Sequence, residues 1–262
     1  MPALQRPEGV QIHWEERGDG PLVVLLHHCF SHPAVYEGLR DELARDHRVV
    51  TYDPRGTGQS TRKGPYELAV DVEDLEALAE ELGGDAVAVG LGDGRDRAAR
   101  VAWSRPNLIR AVVGCDATPM GRSIGNVDAP SASQGVLETV VSLAGSNHRT
   151  AIRGILEFTN PGMTEDEMRQ RLDAEVAYSS REATQARAQW FLRKDSVEAA
   201  RAIRDRLWIA YWASDWTPGE VAGMIHELLP EARVHPVGAG PISRPDLTAE
   251  VVRKVTGSTE RP

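Results

Sequence analysis

The sequence predicts an α/β fold with a mostly parallel central sheet, helices on both faces and an inserted helical cap. Short apolar runs alternate with helical stretches at the spacing of βαβ units, which favours a parallel sheet. That alternation stops in the middle of the chain and resumes near its end. We therefore expect a core formed by residues 1–116 and 206–262, with residues 117–205 as the cap.

The elements of the first half follow from hydrophobic periodicity. Short runs that are apolar or alternate apolar and polar predict strands; these are Val10–Glu16, Leu22–Leu26, Arg48–Tyr52, Ala86–Gly90 and Ile109–Gly114. Stretches with helical spacing lie between them, at Val35–Ala44, Tyr66–Leu82 and Arg95–Trp103. The two glycines Gly83 and Gly84 give the second of these helices a typical C-terminal stop.

The cap and the final part of the chain differ in pattern. From about Ala117 to Arg204 we predict helices and no strand, most clearly over Gly135–Ala144, Thr164–Val176 and Arg181–Leu192. Alternation then returns with a strand at Leu207–Trp212, a helix at Pro218–Leu229, a strand at Arg233–Val237 and a helix at Leu247–Val255. A helical segment inserted between two α/β halves is typical of a lid over a site.

The charge and cysteine content of the chain limit the kinds of binding partner and location that we expect. The chain has 262 residues, 41% of them hydrophobic, and a net charge of −9. An acidic balance argues against binding to nucleic acid or to an anionic membrane. The two cysteines form no disulfide framework, and no signal-peptide or membrane-spanning run is present, so we expect a cytoplasmic protein. We expect no metal or other cofactor and a small-molecule or peptide substrate, and the sequence carries no signal for an oligomeric state.

Two motifs resemble those of the α/β-hydrolase family, and the resemblance covers nearly the whole chain. The segment Asp53-Pro-Arg-Gly-Thr-Gly-Gln-Ser60 is similar to the D-x-R-G-x-G-x-S loop of many members. The segment Gly90-Leu-Gly-Asp-Gly94 resembles the G-x-S-x-G elbow, a sharp strand-to-helix turn that exposes the catalytic nucleophile. The resemblance implies an α/β-hydrolase fold.

The resemblance breaks at two positions of the Ser-His-acid triad. Gly92 holds the place of the nucleophilic Ser, and the register is supported by Ala98, Ala102 and Pro106, which fall where the family commonly has Ala, Ala and Pro. Glycine has no side chain, so nucleophilic catalysis at this position is chemically excluded. In the Gly-Ala-Gly segment that normally precedes the general base, Pro241 replaces His, and proline cannot accept a proton there.

Other parts of the family's site are retained or altered. Asp215 aligns with the triad acid, although it has no His left to orient. The resemblance implies two backbone N–H donors to an oxyanion, from Cys29 and from Asp93. Both residues can donate, so the oxyanion hole can persist without the nucleophile and still bind a carbonyl or enolate oxygen.

Three catalytic or metal-binding interpretations of these residues are less well supported than a structural role. Asp93 as a shifted nucleophile would need to stand one residue earlier, and a carboxylate at a helix N-terminus has a structural explanation in the helix dipole. A metal site at His27, His28, Cys29 and His32 is disfavoured because adjacent residues at a strand end point to opposite faces. Cys29 as a nucleophile lacks a His–acid pair.

His28 and Trp216 are the remaining candidates for the site. His28 replaces a glycine that usually keeps the family's pocket open, so it adds a titratable ring close to Gly92; it acts there as an acid–base or carboxylate-binding group, or it fills space. Trp216 is adjacent to Asp215 and is a candidate for the pocket lining. Trp208 and Trp212 are expected in the core.

Three functions stay open from the sequence. The first is a non-hydrolytic enzyme (an epimerase, cyclase or lyase of specialised metabolism) that uses oxyanion stabilisation and assistance from the substrate, similar in type to the bottromycin epimerase. The second is an inactive pseudo-hydrolase that binds a small molecule or a protein, similar to the NDRG-like proteins. The third is an unusual hydrolase that uses His28, Asp93 or Asp215 with water. Fold alone does not decide among them.

Overall fold

The computed structural model describes residues 3–28, 31–115, 142–159, 162–193, 197–211 and 218–257. Within these residues eight strands form one sheet. They are β1 (Ala3–Arg6), β2 (Val10–Arg17), β3 (Leu22–Leu26), β4 (Arg48–Tyr52), β5 (Ala86–Gly90), β6 (Ile109–Cys115), β7 (Leu207–Tyr211) and β8 (Arg233–Pro236). The spatial order is β1-β2-β4-β3-β5-β6-β7-β8. The pairs β1–β2 and β2–β4 are antiparallel and the others are parallel.

Nine α-helices lie in the described part of the chain. They are α1 (Glu37–Leu43), α2 (Leu68–Glu81), α3 (Asp93–Ser104), α4 (His148–Thr159), α5 (Glu165–Tyr178), α6 (Arg181–Arg193), α7 (Val197–Ile203), α8 (Pro218–Leu228) and α9 (Pro245–Thr256). A short 3-10 turn, Pro33–Tyr36, precedes α1. None of the helices described is long and apolar enough to cross a membrane.

The sheet is covered on both faces, which gives two apolar cores. One core joins α2, α3, α7 and α8 to the sheet through residues such as Leu75, Val101 and Ile203. The other joins α1 and α9 to the opposite face through Leu39 and Val252. This arrangement explains why the central parallel strands are apolar along their length, since neither face meets water. The predicted α/β-hydrolase fold is confirmed.

The helices α4, α5 and α6, here called the inserted helices, lie between β6 and β7 in the sequence. Helices α4 and α5 share a small apolar core that includes Ile152, Leu156 and Leu172. Helix α5 begins with a capping box, in which Thr164 and Glu167 exchange side-chain and backbone hydrogen bonds. Helices α4 and α5 therefore form a packed unit, and the segment that joins α5 to α6 forms a β-bridge with the loop that follows β4.

Most predicted elements match the observed ones, with differences at the ends. The helix predicted over Arg95–Trp103 begins two residues earlier, at Asp93. The prediction missed β1, α4 and α7. The predicted helix Gly135–Ala144 lies largely outside the described residues, as does Trp212. Trp208 packs against the second core but stays partly exposed, where its ring stacks on His235 at 4.9 Å between centroids.

Candidate active site

The elbow between β5 and α3 has the sharp turn that the sequence predicted. Gly92 lies at its apex with φ 53° and ψ −119°, a conformation that residues with a Cβ rarely adopt. Gly90 and Gly94 allow the backbone to turn tightly, because a Cβ at Gly90 would overlap the backbone at Arg95 and one at Gly94 would overlap Leu26. The elbow therefore keeps its backbone while its apex carries no side chain.

The imidazole of His28 fills the space that a side chain at Gly92 would need. A Cβ built on Gly92 would collide with Cδ2 of His28 and would lie 3.1 Å from its Nε2 and 3.4 Å from its Cγ. His28 follows β3, and β3 pairs with β5 in the sheet, so the two strand ends are neighbours. The side chain of His28 is 20% exposed. A titratable ring thus occupies the space above the apex of the elbow.

Asp93 supplies a buried carboxylate next to this ring. Its side chain is fully buried at the first position of α3, and Oδ1 lies 3.7 Å from Nε2 of His28. Its Oδ2 lies 3.2 Å from Nη2 of Arg97, one turn further along the same helix. The positive N-terminal end of the helix and the Arg97 guanidinium both favour the ionised carboxylate. Asp93 therefore points into the protein, where its two carboxylate oxygens face His28 and Arg97.

His27 lies in a second buried network behind the elbow. Its ring Nδ1 lies 2.9 Å from the carbonyl oxygen of His28, and its Nε2 lies 2.9 Å from the hydroxyl of Tyr178. Tyr178 donates its proton to Oδ1 of Asp53 at 2.8 Å, and Arg97 donates to the carbonyl oxygen of His27 at 2.8 Å. Burial, followed by the positive charge of Arg97, lowers the pKa of His27 to about 4, so His27 is neutral at neutral pH.

The inserted helices are also held to the core by buried ion pairs. Arg187 on α6 donates from Nε and Nη2 to Asp71 on α2 at 2.9 and 3.0 Å, and from Nη2 to the carbonyl oxygen of Arg55 at 2.8 Å. Arg55 binds Asp74 through two hydrogen bonds of 2.7 Å. These contacts give Arg55 a role in holding the fold together.

The remaining candidate residues are distributed as follows. Pro241 is buried in the turn that follows β8, where it offers no acid–base group. The ring of His32 accepts a hydrogen bond from the backbone N–H of Ala34 and packs on Tyr178, whose ring also contacts His27. Cys29, Asp215 and Trp216 lie outside the described residues, and their roles stay predictions.

Sequence reasoning did not select Tyr178, Asp53 or Arg187 as part of this region. Asp53 had a signal, because it opens the D-x-R-G loop that was recognised for its fold. Tyr178 and Arg187 had none, since their partners His27 and Asp71 lie more than a hundred residues away in the chain, at separations of 151 and 116.

The model of the Alpha/beta hydrolase family matches residues 23–251. Together with the elbow and the sheet order, this shows that the chain belongs to the α/β-hydrolase family. The chain is 32% identical over 112 residues to 2-(acetamidomethylene)succinate hydrolase of Mesorhizobium japonicum, a match that spans 42% of this chain and 40% of the relative. It is 31% identical over 110 residues to pimeloyl-[acyl-carrier protein] methyl ester esterase of Nitrosomonas europaea, spanning 41% of this chain and 42% of that protein.

Solved structures extend the likeness of the fold to the whole chain. The crystal structure of E-2-(acetamidomethylene)succinate hydrolase superposes with a TM-score of 0.73 at 23% identity, covering 97% of this chain and 99% of the other. At that identity the superposition shows the shared fold. The sequence matches to the curated relatives span about two fifths of their length, so the activities of those proteins are not transferred to this chain by likeness alone.

Proposed function

We propose that the protein is a hydrolase without a covalent intermediate, in which His28 acts as the general base toward water. The observation that carries this proposal is the imidazole of His28 over Gly92, in the space that a nucleophilic side chain would occupy. We propose a small carboxylic ester or amide as the substrate class, because the similar proteins carry names of hydrolases and esterases.

The roles of the neighbouring groups follow from the contacts of His28. Its Nε2 lies 3.7 Å from Oδ1 of Asp93, and we propose that the ring takes the proton of the reacting water. The carboxylate of Asp93 orients the ring and stabilises the imidazolium that forms when water loses its proton. The 3.7 Å separation of Nε2 and Oδ1 is longer than a hydrogen bond. Such contacts are often long in sites without substrate and shorten when substrate binds.

The oxyanion would form above the N-terminus of α3. The backbone N–H of Asp93 starts that helix, and the helix dipole favours negative charge at this end. Cys29 is the expected second donor. Water attack with a positioned base and an oxyanion hole needs neither the missing Ser nor the missing His of the family. The inserted helices would act as the cap that excludes bulk water and selects the substrate.

A second candidate function uses the same groups on a carbon acid. Gly92 offers no nucleophile, and Pro241 stands where the family has its general base. In this function His28 removes a proton next to a carbonyl while the oxyanion donors hold the enolate. Epimerisation, cyclisation or elimination in specialised metabolism would follow, on a small molecule or a peptide. The protein would then be a non-hydrolytic member of its family.

The test compares His28→Gln with a matched control at an exposed position of α8, His226→Gln. Both are assayed against a panel of activated small esters and amides in H₂¹⁸O and in D₂O. We expect the wild-type protein and His226→Gln to hydrolyse at least one substrate class, with ¹⁸O in the acid product and no burst of released alcohol. General-base removal predicts a loss of about 10²- to 10⁴-fold in kcat for His28→Gln.

Other outcomes would redirect the assignment. Deuterium incorporation next to the carbonyl without hydrolysis, again dependent on His28, would support the carbon-acid function. Labelling by a fluorophosphonate would contradict the mechanism, because it would reveal an activated nucleophile elsewhere in the chain. Absence of both reactions from the wild-type protein would leave the binding-only pseudo-hydrolase as the better description.

A further inference from the structure

We propose that Tyr178 is a positioning residue that couples the inserted helices to His28 through the ring of His27. The chemical consequence rests on the role proposed for His28, whereas the coupling itself depends only on the contacts described below. Tyr178 is the last residue of α5, far from His28 in the sequence and connected to it by two hydrogen bonds in series.

The hydroxyl of Tyr178 is held between two buried groups. It lies 2.9 Å from Nε2 of His27 and donates to Oδ1 of Asp53 at 2.8 Å. The residue is 8% exposed. Asp53 is fixed in turn by the backbone N–H of Gln59, which donates to its Oδ2 at 2.9 Å. The hydroxyl therefore sets the position of the His27 ring from the side of the inserted helices.

The ring of His27 passes this constraint to the backbone of His28. Its Nδ1 lies 2.9 Å from the carbonyl oxygen of His28, which also accepts a hydrogen bond from the backbone N–H of Ser31 at 2.9 Å. Arg97 holds the preceding carbonyl, that of His27, at 2.8 Å and also contacts Asp93. The peptide that carries His28 is thus fixed on one side by the cap through Tyr178 and on the other by the partner of Asp93.

The hydroxyl of Tyr178 holds the His27 ring because this network has few protons to share. A carbonyl oxygen can only accept, so the bond to His28 requires a proton on Nδ1 of His27. In neutral His27 the Nε2 atom then carries no proton. This nitrogen therefore competes with Asp53 as an acceptor for the single proton of Tyr178. Removing the hydroxyl leaves Nε2 and Asp53 without their shared partner, and the ring of His27 is then free to turn away from the carbonyl of His28.

The hydroxyl can be removed without undocking the helix. The backbone N–H of Gly58 donates to the carbonyl oxygen of Tyr178 at 2.7 Å, and that of Ser180 donates to the carbonyl oxygen of Gly56 at 2.8 Å. Thr57 and Ser179 form a β-bridge between these bonds. Since the main chain makes this connection, Tyr178→Phe tests the hydroxyl alone.

The experiment compares Tyr178→Phe with Tyr66→Phe, which removes a hydroxyl from a nearby, partly buried ring. The imidazole resonances of His27 and His28 are followed by NMR as a function of pH in both variants and in the wild-type protein. We expect the His28 resonance and its titration midpoint to change in Tyr178→Phe and to stay unchanged in Tyr66→Phe. On the substrate found for the wild-type protein, kcat should fall about tenfold in Tyr178→Phe with KM within twofold, the effect of one lost buried hydrogen bond.

The two arms separate this inference from the proposed function. Unchanged His28 resonances and titration in Tyr178→Phe would overturn the coupling, whatever the activity. A shifted His28 in a protein without turnover would support the coupling and count against the proposed function. If Tyr178→Phe does not fold, Asp53→Asn removes the carboxylate that competes with His27 for the proton of Tyr178. The His28 resonance should then shift in this variant, and an unchanged resonance would again overturn the coupling.

Discussion

The variant Gly92→Ala, which adds a methyl group at the apex of the elbow, tests the site geometry most directly. In the structure the new Cβ would meet three atoms of the His28 ring, two of them at 3.1 and 3.4 Å and the third closer still. Carbon atoms in contact normally lie about 3.5–4.0 Å apart, so the ring must move. The backbone at φ 53° and ψ −119° is strained for any residue with a Cβ, whether or not His28 is present.

These two costs can be separated in a double-mutant cycle with His28→Ala. The backbone conformation of Gly92→Ala is expected to cost about 1–3 kcal/mol by itself. The overlap with the ring adds about 1 kcal/mol in the presence of His28, because the ring ends a side chain that is 20% exposed and must turn from its position, and it adds nothing in the absence of His28. Gly92→Ala should therefore destabilise the wild-type protein more than it destabilises His28→Ala, by the amount of the overlap.

The assay is urea unfolding at neutral pH of the wild-type protein, the two single variants and the double variant. A coupling free energy of about 1 kcal/mol or more between the two positions is expected. Effects that add to within about 0.5 kcal/mol would refute the placement of His28 over Gly92, because independent sites add to that tolerance. The measurement needs no substrate, so it tests the geometry separately from the activity.

Three further predictions concern the buried network and the inserted helices. Arg187→Leu leaves the carboxylate of Asp71 buried without its partner and should lower the free energy of unfolding by about 3–5 kcal/mol in a denaturant titration. In the same titration Arg153→Leu, on the exposed face of α4, should leave the free energy of unfolding unchanged. The pKa of His27 is about 4 in the folded protein and 6.5 in the unfolded chain, so acid favours the unfolded chain. The free energy of unfolding should be highest above pH 6.5 and should fall by about 3 kcal/mol as the pH drops to 4. His27→Gln should flatten this dependence in thermal unfolding measured across pH. Thr164→Ala should destabilise the protein by about 1 kcal/mol by calorimetry, and Thr164→Ser, which keeps the capping hydroxyl, should not.

The fold was predictable because its signals are local. The buried strands β3, β4 and β5 are short apolar runs between turn residues, and their predicted ends coincide with the observed ones. The missed strand β1 has four residues and pairs only with β2, so its pattern is too short to distinguish from an extended terminus. Helix α3 was predicted to begin late because Gly92, Asp93 and Gly94 resemble a loop in sequence. Gly94 lets the helix begin close to β3, because a Cβ at this position would overlap the backbone of Leu26.

The site was predictable in part. The absence of a nucleophile at Gly92 follows from the motif, and the position of His28 near it follows from the neighbouring ends of β3 and β5. The rest depends on side-chain directions and on contacts between distant segments. No local pattern indicates that the His28 ring lies over Gly92, or that Tyr178 reaches His27 from the inserted helices.

The charges of the elbow bear on the choice between an enzyme and an inactive binding protein. The first five residues of α3 include Asp93, Arg95, Asp96 and Arg97, all at most 3% exposed. Buried ion pairs contribute little net stability compared with apolar side chains of similar size, so packing alone gives no reason to place four charges beneath an elbow. A reason exists if His28 becomes an imidazolium during a reaction, because an ionised carboxylate must already be in place to stabilise it. The positive charge of Arg97 favours the ionised form of Asp93, and Arg97 also holds the backbone next to His28. This arrangement is the one that the proposed acid–base role of His28 requires.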